Sequence, residues 1–142
     1  MESIPNILNQ FIGKDSQDSV SPVMRWLNPI WVGASEKGLT FKHIVRKDMT
    51  NPYGTLHGGI SALIIDDAIG ATTMIFMPDY HCVTVNNSID YKSSAVEGDT
   101  LIAETLLLEN ESKIIKLQCE IWNADRTRLI AIGISKMLKR VK

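Results

Sequence analysis

Apolar residues change their spacing along this chain, and the changes divide it into elements. Ile4, Ile7, Leu8, Phe11 and Ile12 fall at helical intervals and predict a short amphipathic opening segment. The polar run from Lys14 to Ser19 reads as a connector. Ser21-Pro22 offers an N-cap and a first-turn proline for a second short helix, which Pro29 ends. Ile30 to Ala34 and Leu39 to Arg46 read as two strands joined around Glu36-Lys37-Gly38. Residues 51–56, with Asn-Pro and Gly, form a loop. From His57 to about Met77 the spacing is helical and nearly all apolar, broken only by Asp66, Asp67 and threonines. Such a helix is roughly 30 Å long and should be buried on most sides. After Pro78-Asp79 the period falls to two, with Val83, Val85, Ile89 and Tyr91 on one face and Thr84, Asn86, Ser88 and Asp90 on the other. Glu97-Gly98-Asp99 is a turn, and Leu101 to Leu108, Ile114 to Trp122 and Leu129 to Leu138 are three further strands. The sum is an α+β chain: an antiparallel sheet of about six strands wrapped round one long central helix, preceded by short N-terminal helical segments.

The 142 residues fit a single domain, 1–142, in which 1–28 are a helical extension. With 44% hydrophobic and 22% charged residues the composition is that of a globular protein, not of a disordered one. A net charge of -1 offers no field to gather nucleic acid or an anionic membrane, so neither is expected as a partner. Any anionic ligand must be held by a local patch or by backbone N–H groups. The basic end formed by Lys136, Lys139, Arg140 and Lys142 reads first as a solvated tail and second as an attraction for phosphates. Cys82 and Cys119 form no CxxC and read as two reduced thiols. The segment Met1 to Pro5 carries neither a basic region nor a long apolar one, so a signal peptide is not expected. Asp66 and Asp67 interrupt the apolar run that would otherwise suggest a membrane span, and a cytoplasmic protein is expected. His43 and His81 have no ligand-like spacing, so no metal is expected. Trp26, Trp31 and Trp122 are scattered and read as packing residues. Ser61 and Cys82 lack the partners of a nucleophilic triad.

The start of the long helix is the point where chemistry enters. A helix N-terminus presents unpaired N–H groups and about half a positive charge. Gly58 and Gly59 remove side chains there, so a ligand oxygen can approach the backbone, as an oxyanion hole requires. Asn51 and His57 offer an amide and an imidazole to the same region. Alone, a Gly-Gly pair more often serves only to pack a helix start against a strand. An aspartate in an apolar helix is commonly functional or paired. Asp66 shares its stripe with Gly59, Ala62, Gly70 and Thr73, a groove of small residues; Asp67 shares its stripe with Ile60, Leu63, Ile64, Ala71 and Met74. Asp66 is therefore the expected reacting carboxylate, and Asp67 is expected to make a structural hydrogen bond. Eight residues along a helix separate Gly58 from Asp66 by roughly 12 Å, whereas a base or nucleophile must lie within about 3 Å of its target. Either the two are unrelated, or a twofold dimer with antiparallel helices brings Asp66 of one chain to Gly58 of the other.

Asn51-x-x-Gly54-Thr55-Leu56-His57-Gly58-Gly59, with Asp66 seven residues beyond Gly59, resembles the 4-hydroxybenzoyl-CoA thioesterase superfamily, in particular its phenylacetate-pathway and thioesterase-superfamily-member types. The similarity runs from about residue 25 to 138 and takes in Val83-Thr84-Val85, Tyr91, Ala95 to Asp99 and Leu129-Ile130-Ala131. It implies a hotdog fold, dimers joined sheet edge to sheet edge and often tetramers, and hydrolysis of acyl-CoA thioesters without cofactor or metal. It also implies that Gly58 gives the oxyanion N–H with Asn51 and His57 nearby. The partner's Asp66 would be nucleophile or general base, and Thr84 would carry the hydroxyl that orients water. Gly59, Tyr91, Ser112 and Lys113 fall where relatives bind substrate or CoA. A non-catalytic acyl-CoA binding or sensing module on the same fold is the alternative, and hotdog dehydratase chemistry a weaker third. Ser94 in place of a proline, Asn86 in place of an acidic residue and the additional Asp67 depart from the pattern and bear on acyl specificity and fine positioning.

Overall fold

Residues 4–142 are described by a computed structural model, and the first three residues of the expected N-terminal extension lie outside it. The opening amphipathic piece forms a 3-10 turn, Asn6–Gln10, and not an α-helix. Enclosed between Pro5 and Gly13, whose φ is 85°, it is too short to repay helix nucleation, and only Leu8 is buried. The first α-helix, α1 (Pro22–Leu27), has the cap read from sequence: the Ser21 side chain accepts the Met24 N–H, and Asn28 in the left-handed conformation ends it.

The strands β1 (Ile30–Ser35) and β2 (Gly38–Ile44) form a hairpin and are followed by a 3-10 turn at Lys47–Met49. The long helix α2 (Gly58–Phe76) comes next, then β3 (Tyr80–Tyr91), β4 (Thr100–Glu109), β5 (Ile114–Asn123) and β6 (Leu129–Val141). All pairings are antiparallel, in the order β1-β2-β4-β5-β6-β3. The hotdog arrangement is thus present: six strands curl round one helix, and α2 touches every strand from β2 to β6. Ile64, Ile65 and Ile69 of α2 are fully buried against Phe41, Leu117 and Ile121 of the sheet's concave face. Each such side chain contributes about 1.5–3 kcal/mol relative to exposure.

Two close approaches seat the helix. At Gly133 of β6 a Cβ would lie 2.8 Å from Ile65 Cγ2, so the strand presses directly on α2. At Gly38 a Cβ would lie 1.8 Å from the backbone oxygen of Thr105, which no side chain can share. Beside it runs a buried polar chain. The Leu39 N–H donates to Thr105 Oγ1 (2.9 Å), Thr105 and Thr72 hydroxyls meet at 2.6 Å, and Thr72 Oγ1 donates to the Ala68 carbonyl (2.8 Å). Hairpin, β4 and α2 are thereby tied by groups that satisfy one another inside the core.

The helix is not covered on every side. Gly59 and Met74 are exposed, and Leu63, Asp66, Asp67 and Gly70 are half-buried, forming an open stripe along one face. The stripe flanks β3, which is an edge strand although it follows the helix directly. The expected faces of β3 also need correction. A bulge interrupts its pairing with β6 between Thr84 and Asn86. Cys82 and Thr84 face α2, then the phase shifts by one, so that Asn87, Ile89 and Tyr91 face it as well. Val83 and Val85 point away and are exposed. Apolar residues at 83, 85, 89 and 91 keep one parity throughout, so the sequence pattern carries no mark of the extra residue.

Gly38→Ala is expected to cost about 3 kcal/mol or more by overpacking, read as a lowered melting temperature. His43 supplies a pH test. Burial, reinforced by the charge of Arg46, holds its imidazole at about 4 instead of 6.5, and its Nδ1 has no partner among the described residues. An unfolded chain takes up this proton below about pH 6.5, whereas the folded one resists it down to about pH 4. Stability from this group is therefore intact above pH 6.5 and falls by up to about 1.4 kcal/mol per pH unit on acidification. Thermal melts of His43→Leu should lack that part of the decline.

Candidate functional site

The chain reaches the helix start under tight backbone control. The His57 N–H donates to the Met49 carbonyl (2.9 Å) and the Leu56 N–H to that of Ala95 (2.8 Å). His57 is the N-cap in extended conformation (φ -63°, ψ 134°), and its Nδ1 accepts the Gly59 N–H at 2.8 Å. An accepting Nδ1 leaves the proton of the neutral ring on Nε2. The His57 carbonyl accepts from Ile60 and Ser61. Of the glycine pair, Gly59 is thus engaged, and the Gly58 N–H alone has no partner among the described residues. It stands at the positive end of a 19-residue helix. Tyr91, at the end of β3, lies along Gly58 and donates its hydroxyl to the Gly58 carbonyl (3.0 Å).

Asn51 is tied into the loop that leads to the helix start. Its Oδ1 accepts the N–H groups of Tyr53 (2.9 Å) and Thr55 (3.2 Å), and its Nδ2 donates to Thr55 Oγ1 (2.8 Å). The carboxamide thus shapes its own loop, in which Gly54 has φ 81°, and the second Nδ2 hydrogen has no partner among the described residues.

Two turns along α2, Asp66 meets β3. Its Oδ1 accepts from Thr84 Oγ1 at 3.0 Å and from Asn87 Nδ2 at 3.1 Å, and its Oδ2 has no partner among the described residues. Thr84 was singled out from sequence; Asn87 was not, because only the bulge turns it inward. Asp67 makes no side-chain hydrogen bond among the described residues, contrary to expectation. Burial, with the neighbouring charge of Asp66 adding to it, pushes its carboxyl up to about 6. Ser112 and Lys113 lie in the β4–β5 turn, beyond the far end of α2. With Tyr80, Lys139 and Arg140 they line a shallow cleft of about 630 Å³. The Lys139 ammonium holds Asn110 Oδ1 (2.8 Å) and lies 4.8 Å from the Tyr80 ring centroid. A second hollow of about 260 Å³ lies between Asp99 and Arg128. Neither cleft reaches Gly58 or Asp66. Within one chain, then, the structure gathers Asp66 with Thr84, and Gly58 with His57, Gly59 and Tyr91, but not these two groups with each other or with Ser112 and Lys113. No cluster of three or more His, Cys, Asp or Glu side chains suited to a metal occurs among the described residues.

The family model described as thioesterase superfamily matches residues 53–130. The chain is 28% identical over 102 residues to mouse acyl-coenzyme A thioesterase 13, covering 72% of this chain and 73% of that protein. In fold it is similar to the PaaI protein of the Escherichia coli phenylacetic acid degradation operon, with a TM-score of 0.82 at 18% identity over 99% of this chain and 97% of that one. It is also similar to smu.793 of Streptococcus mutans, solved with acetyl-CoA bound, with a TM-score of 0.74 at 22% identity over 81% and 90% of the two chains.

The raised carboxyl of Asp67 has a defined sign. The folded chain takes up its proton at about pH 6, the unfolded one only near 3.8, so the group opposes folding increasingly as pH rises through that window. Asp67→Asn is expected to raise the melting temperature at pH 8 and to lose the advantage below about pH 4. This dependence runs opposite to that of His43, so the two are separated by measuring each variant alone across pH.

Proposed function

This chain belongs to the thioesterase superfamily, and we propose that it hydrolyses an acyl-CoA thioester in a site built from two copies of itself. The observation that carries the reading is the free Gly58 N–H at the helix start, two turns from an Asp66 whose unengaged Oδ2 borders an open stripe. A thioester carbonyl seated on Gly58 would gain its negative charge against that N–H and the helix's positive end. Asp66, too distant in its own chain, would come from the partner, attacking as nucleophile or activating water. Thr84 holds this carboxylate in place. His57 supports the site by capping Gly59, which leaves Gly58 as the available donor, and Tyr91 anchors the Gly58 carbonyl on the opposite side.

The open edge of β3 supports self-association in this arrangement. Twelve residues of edge strand carry unpaired backbone groups, with exposed Val83 and Val85 beside them. A twofold axis across that edge sets two α2 helices antiparallel with their open stripes facing, and completes two sites at once. In the same assembly, Ser112, Lys113 and the basic residues beside them would receive the phosphates of CoA. No metal or cofactor has a part in this reading. A module that only bound acyl-CoA would have no need of a carboxylate held at one oxygen and left open at the other.

Purified protein is expected to release thiol from members of an acyl-CoA panel, and Asp66→Ala to abolish that release. Persistence of the rate in Asp66→Ala would overturn the mechanism; tight CoA-ester binding without turnover would favour the binding module. The shared site has its own test. Gly58→Pro removes the one N–H at the first helical position, where proline is tolerated, and His57 already has the extended conformation required before proline. It is expected to lower kcat by about 100-fold or more. Mixed and reassociated with Asp66→Ala at equal amounts, the two inactive proteins should recover about a quarter of the wild-type rate, because half the heterodimer's sites are intact. A site within one chain would recover nothing.

A further inference from the structure

We infer that Asn87 is a positioning residue for Asp66, holding the carboxylate from behind so that a single oxygen is presented to substrate; the inference rests on the reading of Asp66 as the reacting group. Both hydrogen bonds to Asp66, from Thr84 Oγ1 (3.0 Å) and Asn87 Nδ2 (3.1 Å), converge on Oδ1. Rotation of the carboxylate about its Cβ–Cγ bond would break both, so Oδ2 is fixed as the oxygen facing the open stripe. The two donors come from β3 positions three apart. In a regular strand these lie on opposite faces, and the bulge between Thr84 and Asn86 is what places both on the helix side.

The setting of Asn87 argues against a role in stability. Among the described residues its buried Oδ1 has no partner, and neither has the Oγ of Ser135, its fully buried ladder partner on β6. A buried amide that leaves its acceptor unsatisfied destabilises the fold, since desolvation of that oxygen is uncompensated. An apolar side chain of similar size would leave no such unsatisfied oxygen at this half-buried place. The amide is therefore retained for what its donor does, and its one donor contact is Asp66. This is the pattern of a site residue that costs stability and serves orientation.

The test is Asn87→Leu, measured beside wild type and Asp66→Ala on the same acyl-CoA. Expected is a fall in kcat of roughly 10- to 100-fold with KM within about twofold, as for a reacting group that has lost its aim. The melting temperature should be unchanged or raised. A residue with only a structural role would lower the melting temperature and leave kcat per folded molecule intact. Asn87→Asp is expected to be at least as slow as Asn87→Leu, because it sets a second negative charge against Asp66. Full turnover in Asn87→Leu with none in Asp66→Ala overturns this inference and leaves the proposed reaction standing. No turnover in wild type overturns the proposed reaction, and this inference with it.

Discussion

The constraint on which the rest of the molecule depends is the burial of α2. A helix with so few polar residues has to be removed from water, and a single sheet can do so only by curling round it. That curl requires β6 to lie directly on Ile65, which admits nothing larger than Gly133, and requires the hairpin turn at Gly38 to lie against the backbone of β4. The buried threonines 72 and 105 fix the rotation of the helix in its cradle through a closed set of hydrogen bonds. Once rotation and depth are set, the positions of Gly58 and Asp66 follow. The first lies where the helix leaves its loop, and the second lies where the sheet's edge fails to close over it.

Polar groups in such a setting are costly, and the molecule divides them into those it satisfies and those it does not. The Thr72–Thr105 pair is satisfied internally. His43, Asp67, Asn87 and Ser135 are not: two have shifted titration, and three have a buried atom without a partner. His43 lies on β2, away from the open stripe. Asp67, Asn87 and Ser135 lie on or beside α2 near Asp66, and such clustering of unfavourable groups is common where a protein gives up stability for chemistry.

Much of the fold was legible because α2 and its neighbours follow simple periods. The helix expected from His57 to about Met77 is Gly58–Phe76, and each expected strand is present. The capped turn at Ser21-Pro22 was legible from local chemistry alone. The strand order was not, because period-two patterns do not say that β3 passes to the far edge while β2 pairs with β4. The bulge in β3 was hidden for a different reason: apolar residues on both sides of it keep the same parity. That concealed Asn87. Among the candidate site residues, spacing singled out the glycine pair and Asp66 and set them too far apart to meet within one chain. Spacing could not tell which glycine keeps a free N–H, since that depends on the rotamer of His57. Nor could it show that Asn51 faces its own loop.

The bulge at Val85 bears also on the company this protein keeps. A straight twelve-residue edge of unpaired N–H and C=O groups would accept almost any extended peptide, and a second copy could add to the first without end. An extra residue breaks the even row of donors and acceptors and increases the local twist. Only a strand with the matching irregularity at the matching point pairs along its whole length, and the strand certain to have one is β3 of another copy. A pair joined there would use the β3 edge of both copies and leave β1 as the outer edge of each sheet. In such a pair the feature that turns Asn87 toward Asp66 would also guard a sticky edge against fibril growth.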